Sequence, residues 1–369
     1  MKNGIVCRQT NGLFHYLGWP TVAKDEKGIL YAVCSGNRLS HICPFGKNYL
    51  FKSEDGGETW SFPMVINDTV LDDRDAGILS LGGGKMLMTF FNHTRDFYIN
   101  NAEFFLGHSR VDEKINMQRA LYMGALEFWK QMPEELNYFG SFIKLSEDYG
   151  NSWSEPIKVP VTSPHGPTKL RDGRLLYFGK ERGSGVNERE GHILAYDSYD
   201  GGLTWNFLYD VEFPEGCGKD NMHEPYAIEL SDGTILGAIR AQGDPVLHKF
   251  TIYLTRSYDG GRTWTSPEAT GICGSPPHLL ELSSGAIVMT YGRRADPMGE
   301  YARLSYDGGK SFGKEFMLKS APTEDLGYPS SVELDDGSIL TVYYQFYEED
   351  KHCSILYTKW TVDEYEREL

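Results

Sequence analysis

Six segments of the chain share one pattern of hydrophobic and polar positions: an apolar stretch, a short polar turn with glycine, and a second apolar stretch. PYAIELSDGTILGAIR and SSVELDDGSILTVYY show the pattern clearly. Apolar stretches on both sides of a glycine-containing turn predict a β-hairpin. The turn glycines of the six predicted hairpins are Gly28, Gly84, Gly173, Gly233, Gly285 and Gly337.

A second repeat follows five of these hairpins, in the form SEDGGETW, SEDYGNSW, SYDGGLTW, SYDGGRTW and SYDGGKSF. In such a turn the aspartate accepts hydrogen bonds from backbone N–H groups, glycine adopts a conformation that other residues resist, and the aromatic residue packs inward. We call this repeat the Asp turn and predict a structural role for it. Its aspartates, which are not predicted to be catalytic, are Asp55, Asp148, Asp200, Asp259 and Asp307.

The two repeats alternate and so define a larger unit. The distance from each hairpin glycine to the serine of the next Asp turn is 25, 62, 25, 24 and 20 residues. Two successive hairpins make a four-stranded unit of roughly 50–60 residues, and such units arranged radially form a β-propeller. The sequence therefore predicts an all-β fold, with one six-bladed propeller domain over residues 1–369. The sixth unit has no Asp turn, and CSILYTKW (353–360) is predicted to pair with the N-terminal GIVCRQ (4–9) and close the ring.

The longest spacing marks an insertion in the second blade. It exceeds the usual spacing by about 37 residues, which fall near 96–138. The segment is partly helical by its pattern, with a helix predicted over 117–129. A helix inserted in a propeller loop either covers the funnel or contacts another subunit, and both roles remain open.

Composition limits the partners and the location. The net charge of −16 argues against a nucleic-acid partner, because phosphates would be repelled. No run of 18 apolar residues predicts a membrane span, and the N-terminal stretch has no apolar core of a signal peptide. The six cysteines lack metal-ligand spacing and are predicted to be free thiols. A cytoplasmic protein is expected, or a secreted or periplasmic one if a leader has been removed.

Propeller geometry indicates where a site would lie. The first strand of each blade lines the central channel, so residues at its start share a face with residues at the end of the second strand. The positions nine residues before the six hairpin glycines are Trp19, Asp75, Pro164, Glu224, Pro276 and Tyr328. Ionisable residues near this face, which suit a binding site better than a packed core, include Arg74, His165, His223, Arg240, His278, Arg293 and Arg294.

The Asp turns, the six-blade spacing and the order Glu224, Arg240, Arg293/Arg294 and Tyr328 resemble the sialidase superfamily over essentially the whole chain. The resemblance implies that Tyr328 is a nucleophile polarised by Glu224. It also implies that Arg240, with Arg293 or Arg294, binds a sugar carboxylate. A tyrosine with an ordinary pKa near 10 needs such a base to become nucleophilic.

Two departures from the family pattern affect the predicted chemistry. LGWP (17–20) has Gly18 where sialidases place a first carboxylate-binding arginine, and Trp19 follows it at the channel mouth. FGKNYLFKS (45–53) has Lys47 and Asn48 where the family has an acid/base aspartate. One arginine and the acid are thus missing from their usual places.

LDDRDAG (71–77) offers substitutes for both groups. Asp75 could serve as general acid, because a carboxyl shielded from water can hold a proton near neutral pH. Arg74 could bind the carboxylate through its guanidinium fork. The same stretch equally suits a capped loop with an internal ion pair. The other candidates for the acid are His41, His165, His223 and His278.

The function predicted from these residues is sialidase-like exo-glycoside hydrolysis of a terminal acidic sugar. The catalytic residues are predicted to be Tyr328, Glu224 and Asp75. Substrate-binding roles are predicted for Arg74, Arg240, Arg293, Arg294, His165, His223, His278 and Trp19. No cofactor or metal is predicted, the partner is a glycan, and the insertion could support a homo-oligomer. The alternatives are a hydrolase or lyase for uronate- or rhamnose-containing glycans, and a non-catalytic glycan-binding propeller.

Overall fold

The protein folds into six four-stranded antiparallel sheets, as the sequence predicts. The computed structural model describes residues 1–108, 115–137, 139–182, 189–348, 350 and 352–368. The innermost strands of successive sheets contact one another in a closed ring, which makes the arrangement a six-bladed β-propeller.

The first three blades follow the chain from the inside outward. The strands of blade 1 are β2 (Tyr16–Lys24), β3 (Leu30–Arg38), β4 (Lys47–Ser53) and β5 (Met64–Asn67). Those of blade 2 are β6 (Arg74–Gly82), β7 (Lys85–Asn92), β8 (Gly140–Ser146) and β9 (Ile157–Val159). Those of blade 3 are β10 (Thr168–Lys169), β11 (Leu175–Lys180), β12 (Ile193–Ser198) and β13 (Asn206–Asp210).

The last three blades repeat this order except at the closure. The strands of blade 4 are β14 (Met222–Glu229), β15 (Ile235–Gln242), β16 (Phe250–Ser257) and β17 (Glu268–Cys273). Those of blade 5 are β18 (Pro277–Glu281), β19 (Ile287–Arg293), β20 (Gly299–Ser305) and β21 (Phe316–Ser320). Those of blade 6 are β22 (Gly327–Glu333), β23 (Ile339–Phe346), β24 (Cys353–Trp360) and, outermost, β1 (Lys2–Cys7).

The N-terminal strand closes the ring. β1 pairs antiparallel with β24, with Lys2 opposite Lys359 and Ile5 opposite Leu356. The closing strand thus comes from the opposite end of the chain, which confirms the predicted pairing and covers the edge that β24 would otherwise expose.

The Asp turns join the third and fourth strands of their blades, on the face opposite the funnel. In the first of them the Asp55 carboxylate accepts hydrogen bonds from the backbone N–H and hydroxyl of Thr59, at 2.9 and 2.6 Å. These bonds lower the pKa of Asp55 to about 2. Trp60 donates its indole N–H to the carbonyl of Gly57 at 3.1 Å. The carboxylate is hydrogen-bonded within the turn itself, in agreement with the predicted structural role.

The insertion in blade 2 is helical and packs on the funnel side. Its helices are α1 (Arg95–Asn100), α2 (Ala102–His108) and α3 (Ile115–Gln131), followed by a 3₁₀ turn at Glu134–Leu136. The predicted helix over 117–129 is confirmed and is longer by two residues at each end. Residues 109–114 and 138 of the predicted insertion lie outside the described residues.

The insertion shares an apolar core with two loops of the propeller. Tyr98, Leu126 and Trp129 from the helices pack with Leu39 and Cys43 after β3, and Leu71 before β6 belongs to the same cluster. Tyr98 donates its hydroxyl to Asp72 at 2.6 Å, and Trp129 donates its indole N–H to the Val70 carbonyl at 3.0 Å. The helices therefore support the two loops at the funnel mouth between blades 1 and 2.

One short helix was not predicted. α4 (Val362–Arg367) follows β24 and begins with a capping box, in which Thr361 and Glu364 bond to each other's backbone N–H groups. Tyr365 anchors it by packing against Phe316 and Trp360. Of the helices in the described part of the chain, none has the length and apolar character needed to cross a bilayer.

Candidate active site

Four of the six inner strands begin with the same backbone distortion. Trp19, Asp75, Glu224 and Tyr328 have positive φ angles of 55, 48, 46 and 52°. At each of them the pairing with the second strand shifts register, as in a β-bulge. Left-handed backbone at residues other than glycine costs of the order of 1–3 kcal/mol and clusters at functional sites. The repeated strain therefore indicates that these four side chains are placed for function.

Glu224 and Tyr328 are directly hydrogen-bonded in the funnel. The Tyr328 hydroxyl donates a hydrogen bond to Glu224 Oε1 at 2.5 Å, although the residues are 104 positions apart. Arg240 donates Nη1–H to the other carboxylate oxygen, Oε2, at 2.6 Å. Both members of the pair are buried, at 9% exposure for Glu224 and 6% for Tyr328.

The charges within this group are set by burial and by Arg240. Burial disfavours ionisation of Glu224, but the Arg240 charge and the hydrogen bond from Tyr328 outweigh it and lower the pKa of Glu224 to about 2. Burial, followed by the negative charges of Glu224 and Asp75, raises the pKa of Tyr328 well above its ordinary value. At neutral pH Tyr328 is thus a phenol hydrogen-bonded to the ionised carboxylate of Glu224, which can accept the phenolic proton.

Asp75 is the second carboxyl group of the pocket. It is 5% exposed, and its Oδ1 atom has no hydrogen-bond partner among the residues that the structure describes. Burial raises the pKa of Asp75, against the opposing charge of Arg74. A shielded carboxyl with a raised pKa is suited to hold and deliver a proton. The pocket that contains it is lined by Asp75, Phe91, Thr162, Pro164, Lys180, Arg182 and Glu224.

The structure distinguishes the two neighbouring arginines of blade 5. Arg294 lies at the site, since its guanidinium is 5.9 Å from the centre of the Tyr328 ring and donates to Ser275 Oγ at 3.0 Å. Arg293 points away and pairs with Glu315 at 2.7 Å. The substrate-binding role predicted for Arg293 stays a prediction, with its guanidinium held by Glu315 in this structure.

Arg74 and Trp19 form a stacked wall beside the pocket. The Arg74 guanidinium lies 4.2 Å from the centre of the Trp19 ring, and that of Arg38 lies 4.7 Å from it. Arg38 is fully buried and forms a bidentate pair with Asp72, which also receives the Tyr98 hydroxyl. Trp19 is only 1% exposed, so it shapes the wall and offers a sugar almost no surface.

The predicted histidines occupy more buried positions than expected. His165 and His278 are 3% and 5% exposed and contact each other, with ring centres 4.9 Å apart. Burial lowers the pKa of His165 to about 3 and that of His278 well below its ordinary value. Both rings also contact Tyr226, two residues further along β14 than Glu224. They are thus neutral packing groups of the channel below the carboxylates.

His223 is also held by neighbouring groups. Its Nδ1 atom is 3.1 Å from Lys180 Nζ, and its Nε2 atom is 2.9 Å from the Asp220 carbonyl. Burial, then the Lys180 charge, lowers the pKa of His223 to about 4. These contacts fix the segment just before Glu224, which makes His223 a support for the site in this structure.

A cluster around Asp325 was not predicted. The Asp325 carboxylate accepts hydrogen bonds from the hydroxyls of Tyr16 and Tyr344, at 2.9 and 3.2 Å, and contacts His41 Nδ1 at 3.0 Å. His41 was among the candidate acids, but no local motif connects it with a residue 284 positions away. Trp19 links the cluster to the site, because its ring contacts those of both His41 and Tyr328.

No metal cluster is present in the part of the chain that the structure describes: no group of three or more His, Cys, Asp or Glu side chains is close enough to hold an ion. The six cysteines, all within that part, are free thiols.

The family is decided by a match over residues 124–341, more than half of the chain, to the BNR repeat-like domain. The chain belongs to that family. A sialidase from Micromonospora viridifaciens is 25% identical over 48% of this chain and 31% of its own length. A xyloglucanase from Paenibacillus sp is 26% identical over 45% of this chain and 16% of its own length. The chain thus spans a third or less of these curated relatives.

Solved structures with the same fold cover nearly all of the chain. A protein of unknown function from Dyadobacter fermentans DSM 18053 has a TM-score of 0.73 at 22% identity, with 97% of both chains covered. The NanB sialidase from Streptococcus pneumoniae has a TM-score of 0.71 at 14% identity, with 97% of this chain and 70% of the other covered. The predicted resemblance to the sialidase superfamily is confirmed, with this BNR repeat-like protein as a divergent member.

Proposed function

We propose that this protein is a retaining exo-glycoside hydrolase that removes a terminal acidic sugar, such as sialic acid or a related sugar, from a glycan. The observation that carries the proposal is the 2.5 Å hydrogen bond from Tyr328 to Glu224, a residue that lines one pocket together with Asp75. A buried phenol bonded to an ionised carboxylate is a nucleophile with its base already in place.

In the proposed first step, the Tyr328 oxygen attacks the anomeric carbon while Glu224 takes the phenolic proton. The bond to the leaving oxygen breaks, and Asp75 gives that oxygen its proton. In the second step Asp75 removes a proton from water, the water oxygen attacks the same carbon, and the bond to Tyr328 breaks. Glu224 then returns its proton to Tyr328, so the enzyme is regenerated.

An acidic substrate is supported by the charges around Tyr328. Arg240 and Arg294 lie close together, with guanidinium groups 4.6 and 5.4 Å from the Phe250 ring centre. Burial raises the pKa of the nearby Glu300 to about 8, so at neutral pH this carboxyl is mostly uncharged and does not cancel the arginine charge. In a chain of net charge −16 the arginines supply a local positive field for a carboxylate.

A second candidate function also has an observation behind it. Glu224 and Asp75 are two carboxyl groups in one pocket, the arrangement that hydrolases of uncharged sugars use. In that case Glu224 itself would attack the anomeric carbon, and the missing arginine at Gly18 would be explained. The xyloglucanase among the relatives is consistent with this alternative.

Trapping the covalent intermediate separates the two functions. The protein would be incubated with fluorinated glycosyl fluorides, one of sialic acid and one of a neutral sugar, and the labelled residue found by peptide mass spectrometry. Label on Tyr328 from the sialic acid reagent supports the proposal, and Tyr328→Phe should abolish it. Label on Glu224 from the neutral reagent supports the alternative. No label and no turnover with either reagent contradicts both.

A further inference from the structure

The Asp325 cluster is built from strand ends that meet at the funnel mouth. Tyr16 begins β2, Tyr344 is near the end of β23, and Asp325 lies two residues before β22. His41 comes from the loop between β3 and β4. All four residues therefore lie on the face where the inner strands begin, the face of the Tyr328–Glu224 pair.

Hydrogen bonds fix the orientation of the His41 ring. Within the described part of the chain, both polar contacts of the ring use Nδ1, to Asp325 at 3.0 Å and to Tyr16 at 2.9 Å. Tyr16 also donates to Asp325, at 2.9 Å. An Nδ1–H proton directed at the carboxylate satisfies this arrangement, so in the neutral ring Nε2 is the acceptor.

The backbone of His41 is also held by hydrogen bonds. Its carbonyl accepts hydrogen bonds from Arg38 at 3.1 Å and from Arg74 at 3.3 Å. On either side, Leu39 and Cys43 are buried against the helical insertion. His41 nevertheless keeps 45% of its side chain exposed. A ring that is anchored at one nitrogen and half open to solvent is arranged to contact a ligand rather than to pack.

The position of the ring relative to the reaction centre defines which part of a ligand it would meet. The His41 ring meets the Trp19 ring edge-on at 5.0 Å, and the Tyr328 ring contacts the same indole at 6.4 Å. Trp19 is almost fully buried between them. His41 therefore lies one aromatic ring away from Tyr328 and is more exposed to solvent than either Trp19 or Tyr328.

We propose that His41, oriented by Asp325, forms the binding subsite for the leaving sugar, with Nε2 accepting a hydrogen bond from one of its hydroxyl groups. His41 is then a specificity-determining residue, and Asp325 is a positioning residue that acts through it. The inference rests on the proposed function, because it requires glycoside cleavage at Tyr328, but it adds the requirement that the group released is itself a sugar.

The test compares two substrates that differ only in the released group: 3′-sialyllactose and the methyl α-glycoside of sialic acid. Both release an alcohol rather than an activated phenol, so cleavage of both depends on the proton donor. The measured quantity is the ratio of kcat/KM for the two. A general loss of folded protein or of catalytic power cancels in this ratio.

In His41→Ala the preference for sialyllactose should fall by about threefold to tenfold, the effect of one hydrogen bond. Asp325→Asn should lower the ratio in the same direction, because the ring loses its orientation. The matched control is His192→Ala, which removes the histidine of another His–Asp pair, 3.0 Å from Asp210 on the outer strands of blade 3. This control should leave the ratio unchanged.

Two results would overturn the inference in different ways. If His41→Ala lowers kcat/KM equally for both substrates, or for neither, the ratio is unchanged. His41 then does not contact the leaving sugar, while the hydrolase function stands. If the unmodified protein cleaves neither substrate, the proposed function itself fails and the subsite fails with it.

Discussion

At the scale of single residues, burial decides which groups carry charge. Glu224 and Asp75 are both shielded from water, but only Glu224 has an arginine bonded to its carboxylate. Its pKa is lowered to about 2, whereas that of Asp75 is raised. The pKa values of two carboxyl groups in one pocket are thereby shifted in opposite directions, which is the division that the proposed acid–base mechanism requires.

This division predicts a pH dependence for the reaction. The donor must be protonated, so activity should be present at low pH and lost as the pH rises through the pKa of Asp75. Because that pKa is raised, the loss should occur at a higher pH than for an ordinary carboxyl. Asp75→Asn should remove this alkaline limb and lower kcat for an alkyl glycoside by about 10²- to 10⁴-fold. The measurement is a pH–rate profile of kcat.

The control for this prediction is Asp73→Asn in the same loop. Burial raises the pKa of Asp73 to about 7, but its carboxylate is bonded to Thr69 and Asn92, away from the pocket. This variant should retain the alkaline limb. Disappearance of the limb in Asp73→Asn alone would assign the titration to the loop and contradict the role of Asp75.

At the scale of elements, the insertion acts as a support for the funnel mouth. The helices contact the two loops that carry His41, Asp72 and Arg74, and Tyr98 bonds directly to Asp72. Of the two roles left open by the sequence, these contacts place the insertion at the funnel, and a contact with another subunit stays a prediction.

The substitution Trp129→Ala, compared with a substitution of the neighbouring Phe128, tests whether the insertion supports the site. Trp129 is 2% exposed, and its truncation should cost about 3–5 kcal/mol of packing locally. We expect faster proteolysis of the insertion and a fall in kcat/KM, with the propeller still folded. Phe128→Ala is the matched control, because Phe128 is 58% exposed. It should leave both the rate of proteolysis and kcat/KM unchanged within error. Equal activity in the two variants would show that the insertion does not support the site.

At the scale of the whole molecule, the Asp turns hold neighbouring blades together. A Cβ atom added to Gly57, in the turn of blade 1, would lie 2.2 Å from Leu340 Cδ1 on the second strand of blade 6. The first turn therefore spans the junction where the two ends of the chain close the ring. Close contact between these blades depends on the absence of a side chain at this position.

Gly57→Ala should accordingly destabilise the whole propeller. Gly56 provides the comparison, because both glycines have positive φ angles, of 69 and 87°, but a Cβ atom on Gly56 has no neighbour nearer than 3.9 Å. Both variants carry backbone strain, and only Gly57→Ala adds overpacking of about 1–3 kcal/mol. The expected result is a lower melting temperature for Gly57→Ala than for Gly56→Ala. The reverse order would mean that blade contact at this turn does not limit stability.

The sequence by itself determined the blade number, the closing strand, the Asp turns and the positions at the start of the inner strands that share the channel mouth. Each of these follows from local chemistry, because turn residues and apolar alternation act over a few residues and repeat in step. The pairing of Glu224 with Tyr328 could also be inferred, since both occupy equivalent positions in their blades and match the order of a known family.

Only the tertiary structure decided which neighbouring groups face the pocket. Arg293 and Arg294 are adjacent in sequence, and which of them lies beside Tyr328 depends on Glu315, which forms an ion pair with Arg293. His41 and Asp325 are separated by 284 residues and meet only because the ring brings blade 1 against blade 6. Such contacts depend on radial packing of distant segments, and no periodic pattern along the chain predicts them.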